Sequence, residues 1–375
     1  MDFAAEGLLE GIEDAQARAD RIVLLERLLA DGIPLEELKR AAAEDRLVLL
    51  QVERMLGTEQ YTAREVAERV GLPLELVLKM RQELGLPRPD PDDRVLTDSD
   101  VEAAARLKLF HAAGLSEEGI LEVARVLGEG LARVAATLRT LVRDAFLQPG
   151  IGEQELSDRY AAASATLGPQ LGVVMQQVLN MHLRDQLRTD VVGRAELARG
   201  GVLGAVPMSI AFADLVGFTK LGERVPAEEL GAIARRLGEL AGEATAARPP
   251  VRLVKTIGDA AMLVSPDPDA LLETSLELVA AAEEEGDEFP RLRAGVATGP
   301  VLGRAGDWYG SPVNIASRIT GIARPGSVVA AGATREAIGD DAHWRWSSLP
   351  NRRLRGVDHP VPLYRVRPAD PTPSG

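Results

Sequence analysis

Three short segments of the chain carry side chains whose types and spacing could do chemistry. Asp214 ends an apolar run and precedes a glycine turn, so one carboxylate is delivered at the end of a predicted strand. A second carboxylate, Asp259, follows Lys255 by four residues. Asn314 and Arg318 are also four residues apart, which on a helix places an amide and a guanidinium on one face. Carboxylates suit hard divalent cations, and a charge-delocalised Arg suits a phosphate under attack.

Each of these segments has a more ordinary interpretation when it stands alone. An Asp at a strand end is more often a helix cap or a turn residue, and Gly258 followed by Asp259 is typical of a hairpin turn. Most Asn and Arg pairs on a helix belong to an exposed polar face. The occurrence of all three segments together, in this order, favours a functional site.

The elements that must position these residues follow from the pattern after residue 208. Short β-rich runs alternate there with helical segments. We predict strands over residues 209–215, 252–255, 260–264, 292–297, 327–331 and 363–366. We predict helices over residues 227–246, 269–285 and 313–322. Interleaving of this kind predicts an α/β or α+β sandwich with helices packed on a sheet.

The part of the chain before residue 199 follows a helical pattern throughout. Apolar positions recur at helical spacing, and breaks are predicted at Gly71, residues 87–91, Gly114, Gly150 and Gly168. The last of these helices is predicted over residues 170–197. The resulting plan is an all-helical first domain (1–198), a linker (199–207), a second domain (208–367) and a disordered tail (368–375).

Composition limits what the protein can be. A chain of 375 residues argues for two or three domains. The absence of cysteine excludes disulfide scaffolds, thiolate zinc sites and cysteine nucleophiles. A formal charge of −14 disfavours nucleic acid and anionic membranes as partners. No apolar run reaches 18 residues and the first residues are acidic, so we expect a cytoplasmic protein without a membrane partner.

The segments FADLVGFT, KTIGDAAM, GDWYGSPVNIASRI and RRLRGVDHPVPLYRV occur in the order found in class III nucleotidyl cyclases. From about residue 206 to residue 367, the chain resembles the catalytic domain of the adenylate cyclases of that class. The resemblance implies a ferredoxin-like α/β sandwich as the second domain. It also implies conversion of ATP to 3′,5′-cyclic AMP and pyrophosphate.

The resemblance assigns roles to the metal and base contacts. It implies that Asp214 and Asp259 hold two Mg²⁺ or Mn²⁺ ions, which would activate the ribose 3′-hydroxyl and neutralise the triphosphate. It implies that Lys255 and Asp307 select the base. A Lys donor and an Asp acceptor fit N1 and the N6 amino group of adenine, so ATP should be preferred over GTP.

The same resemblance assigns the remaining substrate contacts. It implies that Asn314 orients the ribose and that Arg318 stabilises the reacting phosphate. Arg355 stands where the family has a triphosphate-binding Lys, and Arg keeps the charge but changes the donor geometry. Phe218 and Thr219, in the first motif, are also expected to contact the substrate.

One chain should not complete the site by itself. If Lys255 and Asp259 flank one hairpin, four residues of extended chain separate them by roughly 13 Å. In the family the site lies between two catalytic domains, one holding the metals and the other contacting base, ribose and phosphate. Since this chain has one such domain with both sets of residues, the resemblance implies a homodimer with two equivalent sites.

The first domain resembles two kinds of module. Residues 61–84 look like a helix-turn-helix, and residues 93–115 resemble the wing and next helix of a MerR-type domain. Residues 61–110 hold eight Lys or Arg against ten Asp or Glu, so we expect a regulatory or dimerisation role without DNA binding. Long helical N-termini on this class also resemble the autoinhibitory modules of pH-responsive actinobacterial adenylate cyclases.

The regulatory signal has two candidate forms. His111 and His182 could titrate between pH 5 and 8 and bias two packings of a helix, although a merely solvated or packed His is the commoner case. The apolar helices of residues 115–182 could instead enclose a fatty acid or another small effector.

Two alternatives to an adenylate cyclase are compatible with parts of the sequence. A MerR-like regulator could carry a degenerate cyclase module as a nucleotide sensor, but the intact carboxylates, Asn314 and Arg318 disfavour decay. A guanylate cyclase is disfavoured by Lys255 and Asp307.

Overall fold

The computed structural model divides the chain into two compact units, residues 1–194 and 195–375. It describes residues 1–147, 150–197, 205–339, 343–352, 354–357 and 360–369. Residues 199–204 of the predicted linker and residues 370–375 of the predicted tail lie outside these described residues. Each unit is described separately below.

In its described residues the first unit is built of helices joined by turns and loops, as the pattern predicts, with one isolated β-bridge. Its α-helices are α1 (Ala15–Ala30), α2 (Leu35–Ala43), α3 (Leu50–Leu56), α4 (Ala63–Val70), α5 (Leu74–Glu83), α6 (Asp98–Ala112), α7 (Glu117–Phe146) and α8 (Glu153–Leu197). A 3₁₀ turn (Leu47–Leu49) precedes α3. No helix in the described part of the chain is both long enough and apolar enough to span a bilayer.

Of the predicted breaks, only the one at Gly168 is wrong. Gly71, Gly114 and Gly150 adopt positive φ angles of 72°, 87° and 84° and end or separate helices, because glycine reaches this region without steric cost. By contrast, α8 runs through Gly168 and Pro169 without a break. Pro169 cannot donate to the carbonyl four residues earlier, but that part of α8 is exposed, so water can satisfy the freed carbonyl.

The segment predicted to be a helix-turn-helix consists of α4, a turn at Gly71 and α5. Thr62 and Glu65 form a capping box that fixes the start of α4. The predicted wing is not confirmed, since the chain between α5 and α6 forms an isolated bridge, from Leu96 to Tyr61, instead of a hairpin.

The second unit is a mixed eight-stranded sheet with helices. Its elements are β1 (Ala205–Leu215), α9 (Phe218–Leu221), α10 (Ala227–Ala246), β2 (Arg252–Ile257), β3 (Ala260–Ser265), α11 (Pro268–Glu284), β4 (Leu292–Arg304), β5 (Asp307–Tyr309), α12 (Ser311–Ile322), β6 (Ser327–Ala331), α13 (Gly332–Ile338), β7 (Trp344–Arg352) and β8 (Val361–Pro368). The strand order is β2-β3-β1-β4-β6-β8-β7, with β5 paired to β4. The β4–β6 pair is parallel and the others are antiparallel.

The sheet carries helices on both faces. Ala211, Ala213 and Leu215 of β1 join a core that includes buried side chains of α10 and α11. Ile210, one residue out of phase, joins a second core with Ala316 and Ile319 of α12. This alternation is the period-2 pattern of a strand buried on both sides, and it decides which helix each strand residue meets.

The predicted elements match α10 and β6 residue for residue, while other bounds differ. β1 begins at Ala205, so residues 205–207 are not linker: they pair with β4. The short elements α9, β5 and α13 were not predicted because they are too brief to show a period. β7 was not predicted either, since it is an edge strand with few apolar positions and contains Pro350.

Candidate active site

The two carboxylates predicted to bind metal lie near the end of β1 and in the loop that joins β2 to β3. Asp214 pairs across the sheet with Ala260 of β3 and with Arg293 of β4. Asp259 lies in the two-residue loop between β2 and β3, after Gly258 with a φ of 60°. The backbone N–H of Leu215 donates to the carbonyl of Asp259 at 2.9 Å, which ties this loop to the end of β1.

Arg293 is the cation that faces this pair. Its Nε and Nη2 both donate to Oδ2 of Asp214, at 2.9 and 2.6 Å, and the two side chains are only 25% and 21% exposed. Burial raises the pKa of the Asp259 carboxyl and the charge of Asp214 raises it further, while a backbone N–H and Arg293 act in the opposite direction. The pKa of this carboxyl is raised because its ionised form is disfavoured by burial and by the second carboxylate beside it. A bound cation would stabilise that ionised form. The donor set therefore fits a hard divalent ion.

Lys255 reaches Asp307 because β2 contains a bulge. The register passes from Leu253 opposite Leu263 to Lys255 opposite Met262, so Val254 is the extra residue. Met262 belongs to the core on the α12 face of the sheet, and the bulge thus turns Lys255 toward that face. There its ammonium forms an ion pair with the carboxylate of Asp307. The two residues expected to select the base are in contact.

Asn314 and Arg318 share the exposed side of α12. The opposite side of this helix is buried through Pro312, Ala316 and Ile319. Neither the amide of Asn314 nor the guanidinium of Arg318 forms a hydrogen bond or an ion pair with another residue that the structure describes. Both side chains are therefore free to meet a ligand or a second copy of the chain.

The remaining predicted residues have varied settings. Phe218, in α9, is half-buried and packs against the core under α10 and α11, while Thr219 is exposed. Arg355 is exposed in a turn after the buried Leu354. His111 on α6 and His182 on α8 are exposed in the other unit.

Arg293 and Gly295 are site residues that the sequence reasoning did not identify. Arg293 binds the Asp214 carboxylate because the two residues are directly opposite each other in the β1–β4 pair. Gly295 lets α12 lie against β4, since a Cβ there would come within 2.4 Å of the backbone nitrogen of Thr320. Both belong to the predicted strand over residues 292–297, and an Arg and a Gly in a largely apolar strand were the available signal.

Comparison with protein families defines the class. The adenylate and guanylate cyclase catalytic domain matches residues 205–363, which contain the sheet up to the first residues of β8 and all the predicted site residues of the second unit. The adenylate cyclase regulatory domain matches residues 1–187. The second unit is thus a nucleotidyl cyclase domain, preceded by a regulatory one.

Individual relatives indicate which nucleotidyl cyclases this chain is similar to. The pH-sensitive adenylate cyclase MT1302 of Mycobacterium tuberculosis is 46% identical over 358 residues, covering 94% of this chain and 89% of that protein. The adenylate cyclase of Streptomyces coelicolor is 33% identical over 304 residues, covering 79% of this chain and 76% of that protein. The chain belongs to the class III adenylate cyclases that carry an N-terminal regulatory domain.

Among solved structures, the adenylyl cyclase CyaB from P. aeruginosa aligns at 20% identity with a TM-score of 0.39. The alignment covers 44% of this chain and 95% of that chain.

Proposed function

We propose that this adenylate cyclase converts ATP to 3′,5′-cyclic AMP and pyrophosphate by two-metal catalysis at a homodimer interface. Asp214 and Asp259 of one subunit would hold the cations. Lys255, Asp307, Asn314 and Arg318 of the second subunit would contact the nucleotide. The observation that carries this proposal is the division of polar residues on one chain into separate groups: the carboxylates gather around Arg293, whereas Lys255 pairs with Asp307.

The exposed face of α12 supports the dimeric arrangement. Asn314 and Arg318 have no partner among the described residues, and both are solvent-accessible. An unpaired guanidinium can approach a phosphate that is bound to the carboxylates of another subunit. A symmetric dimer of one-domain chains would then contain two equivalent sites.

The residues of this chain divide the work of the reaction. When bound, two divalent cations would lower the pKa of the ribose 3′-hydroxyl and neutralise charge on the triphosphate. The 3′-hydroxyl would give up its proton to water, and its oxygen would attack the α-phosphorus. The bond between the α-phosphorus and the oxygen that bridges to the β-phosphorus would break to release pyrophosphate. Asn314 would orient the ribose. Arg318 would stabilise the charge that develops on the α-phosphoryl oxygens.

The Lys255–Asp307 ion pair supports adenine as the base. Each of the two charged groups satisfies the other in this contact. Adenine can replace this contact, because Lys255 can donate to N1 while Asp307 accepts from the N6 amino group. Guanine presents a carbonyl and N–H donors at these positions and leaves a mismatch with both residues, which is costly in a partly buried site.

Subunit complementation tests the shared site. Asp214→Ala and Arg318→Ala homodimers should each be inactive with Mn²⁺ and ATP. A heterodimer of the two variants, isolated by two affinity tags, has one intact site and should recover about half of the wild-type activity. An inactive heterodimer alongside an active wild type would refute the shared site.

Base selection has its own test. The kcat/KM ratio for ATP over GTP should fall by about tenfold or more in Lys255→Ala, because the base then loses a partly buried polar partner. Cyclic GMP as the main product of the wild-type enzyme would overturn the assignment.

We further propose that the N-terminal domain regulates the cyclase and that pH is the signal. The regulatory-domain match and the 46% identical relative described as pH-sensitive support this. Cyclase activity of the intact chain should change between pH 5 and 8, and His111→Ala and His182→Ala would show whether either imidazole carries the response. A flat profile of the intact chain would refute pH as the signal.

A further inference from the structure

Thr320 on α12 makes a contact that leaves its own helix. The side chain is buried, with 3% exposure. Its Oγ1 lies 2.8 Å from the carbonyl oxygen of Ala316, which is the usual bond of a helical threonine, and 3.1 Å from the carbonyl oxygen of Phe212 in β1. The single hydroxyl hydrogen is shared between the helix and the strand.

This contact lies where α12 touches the sheet most closely. Phe212 is directly opposite Gly295 in the β1–β4 pair. A Cβ on Gly295 would meet the Thr320 nitrogen at 2.4 Å and its Oγ1 at 2.7 Å. The helix therefore lies directly on the backbone of two strands, with no side chain of residue 295 between them.

Arg293 provides a second link between the same two elements. Its Nη1 donates to the carbonyl oxygen of Gly321 at 3.0 Å, while its other nitrogens hold Asp214. The end of α12 is thus joined to the strand that carries Asp214 at two adjacent positions, Thr320 and Gly321.

We propose that Thr320 is a positioning residue for the cyclase reaction. Its hydroxyl fastens the helix that carries Asn314 and Arg318 to the strand that ends in Asp214. The proposal rests on the proposed function, in which Asp214 and Arg318 of one chain serve different sites of the dimer. Thr320 therefore holds the contributions of one chain to both sites at a fixed spacing, and it acts through Arg318 without contacting the nucleotide.

The first experiment compares isosteric variants of two buried threonines in the full-length dimer. Thr320→Val removes the hydroxyl with little change of shape. Thr274→Val is the matched control, because Thr274 on α11 is also buried and donates to the carbonyl of Ala270, in its own helix, at 2.8 Å. Thr320→Ser keeps the hydroxyl and should retain activity.

The expected result is a change in kcat specific to Thr320→Val. A small displacement of Arg318 should lower kcat by about tenfold with the KM for ATP within about twofold, since misplacement of 1 Å can cost a hundredfold. Thr274→Val should show a comparable drop in Tm with unchanged kcat. Equal kcat in the two valine variants, or a Thr320→Ser variant as slow as Thr320→Val, would overturn the proposal.

The complementing heterodimer shows which element Thr320 positions. In that dimer the Asp214→Ala chain supplies α12 to the intact site, and the Arg318→Ala chain supplies the carboxylates. Adding Thr320→Val to the Asp214→Ala chain should lower activity by about tenfold, whereas adding it to the Arg318→Ala chain should have a smaller effect. Equal effects in both chains would overturn the assignment to α12.

Failure of the proposed function gives a different result. If the heterodimer without Thr320→Val is inactive, the shared site is wrong. The comparison of Thr320→Val with Thr274→Val in otherwise wild-type protein still shows whether the hydroxyl supports catalysis.

Discussion

Replacing Gly295 by Ala tests how closely α12 must lie on the sheet. The added Cβ would be 2.4 Å from the backbone nitrogen of Thr320 and 2.6 Å from the carbonyl oxygen of Ala316. Ordinary contacts begin near 3.4 Å. Both clashing atoms belong to the helix backbone and cannot rotate away, so α12 must retreat by about 1 Å.

This retreat carries Asn314 and Arg318 with it. A misplacement of about 1 Å in a catalytic group can lower kcat by about a hundredfold. The overpacking should also lower the free energy of unfolding by about 1–3 kcal/mol, which is less than the total stability of a typical domain. The assay is the initial rate of cyclic AMP formation with Mn²⁺ and saturating ATP, accompanied by a thermal melt to show that the variant is folded.

Gly321→Ala is the matched control for this experiment. Gly321 lies on the same helix, and a Cβ there would have no atom within 4 Å. Because Ala is a better helix former than Gly, this variant should gain about 1 kcal/mol of stability with unchanged kcat. The reasoning is refuted if folded Gly295→Ala keeps wild-type kcat, or if Gly321→Ala loses as much activity as Gly295→Ala.

Two further predictions concern stability. Burial raises the pKa of the Asp259 carboxyl above its value in the unfolded chain. The metal-free protein therefore loses stability as the pH rises from the unfolded-state pKa to the folded-state pKa of this carboxyl, because ionisation costs more free energy in the folded state. Asp259→Asn should therefore raise Tm at pH 7, and this gain should disappear below about pH 3, where the carboxyl is protonated in both states. The same variant should lose cyclase activity. An unchanged Tm at pH 7 would contradict this account. Ala305 and Gly306 both have positive φ, 53° and 75°, as a type I′ turn between Arg304 and Asp307 requires. Ala305→Asn should add about 1 kcal/mol, a Tm rise of about 2–4 °C, and Ala305→Val should lower Tm; the reverse order would argue against strain at this turn.

Local patterns in the sequence were sufficient for the elements that are long and strongly periodic. The helix over residues 227–246 and the strand over residues 327–331 are found as predicted, since apolar period and flanking breakers are contained within each segment. The sequence also showed that Asn314 and Arg318 lie on one face of a helix, because residues four apart share a face however that helix packs. The helical character of the first unit followed in the same way.

Tertiary structure decided the features that depend on distant parts of the chain. The bulge at Val254 turns Lys255 toward Asp307, and a shift of one residue would have turned it to the other face. The register that places Arg293 beside Asp214 is a pairing of two strands 79 residues apart. Gly295 matters only because α12 packs on it. Sequence periodicity defines which side chains share a face of one element, whereas the contacts between faces are set by strand register and close packing across the sheet, which no local window of sequence contains.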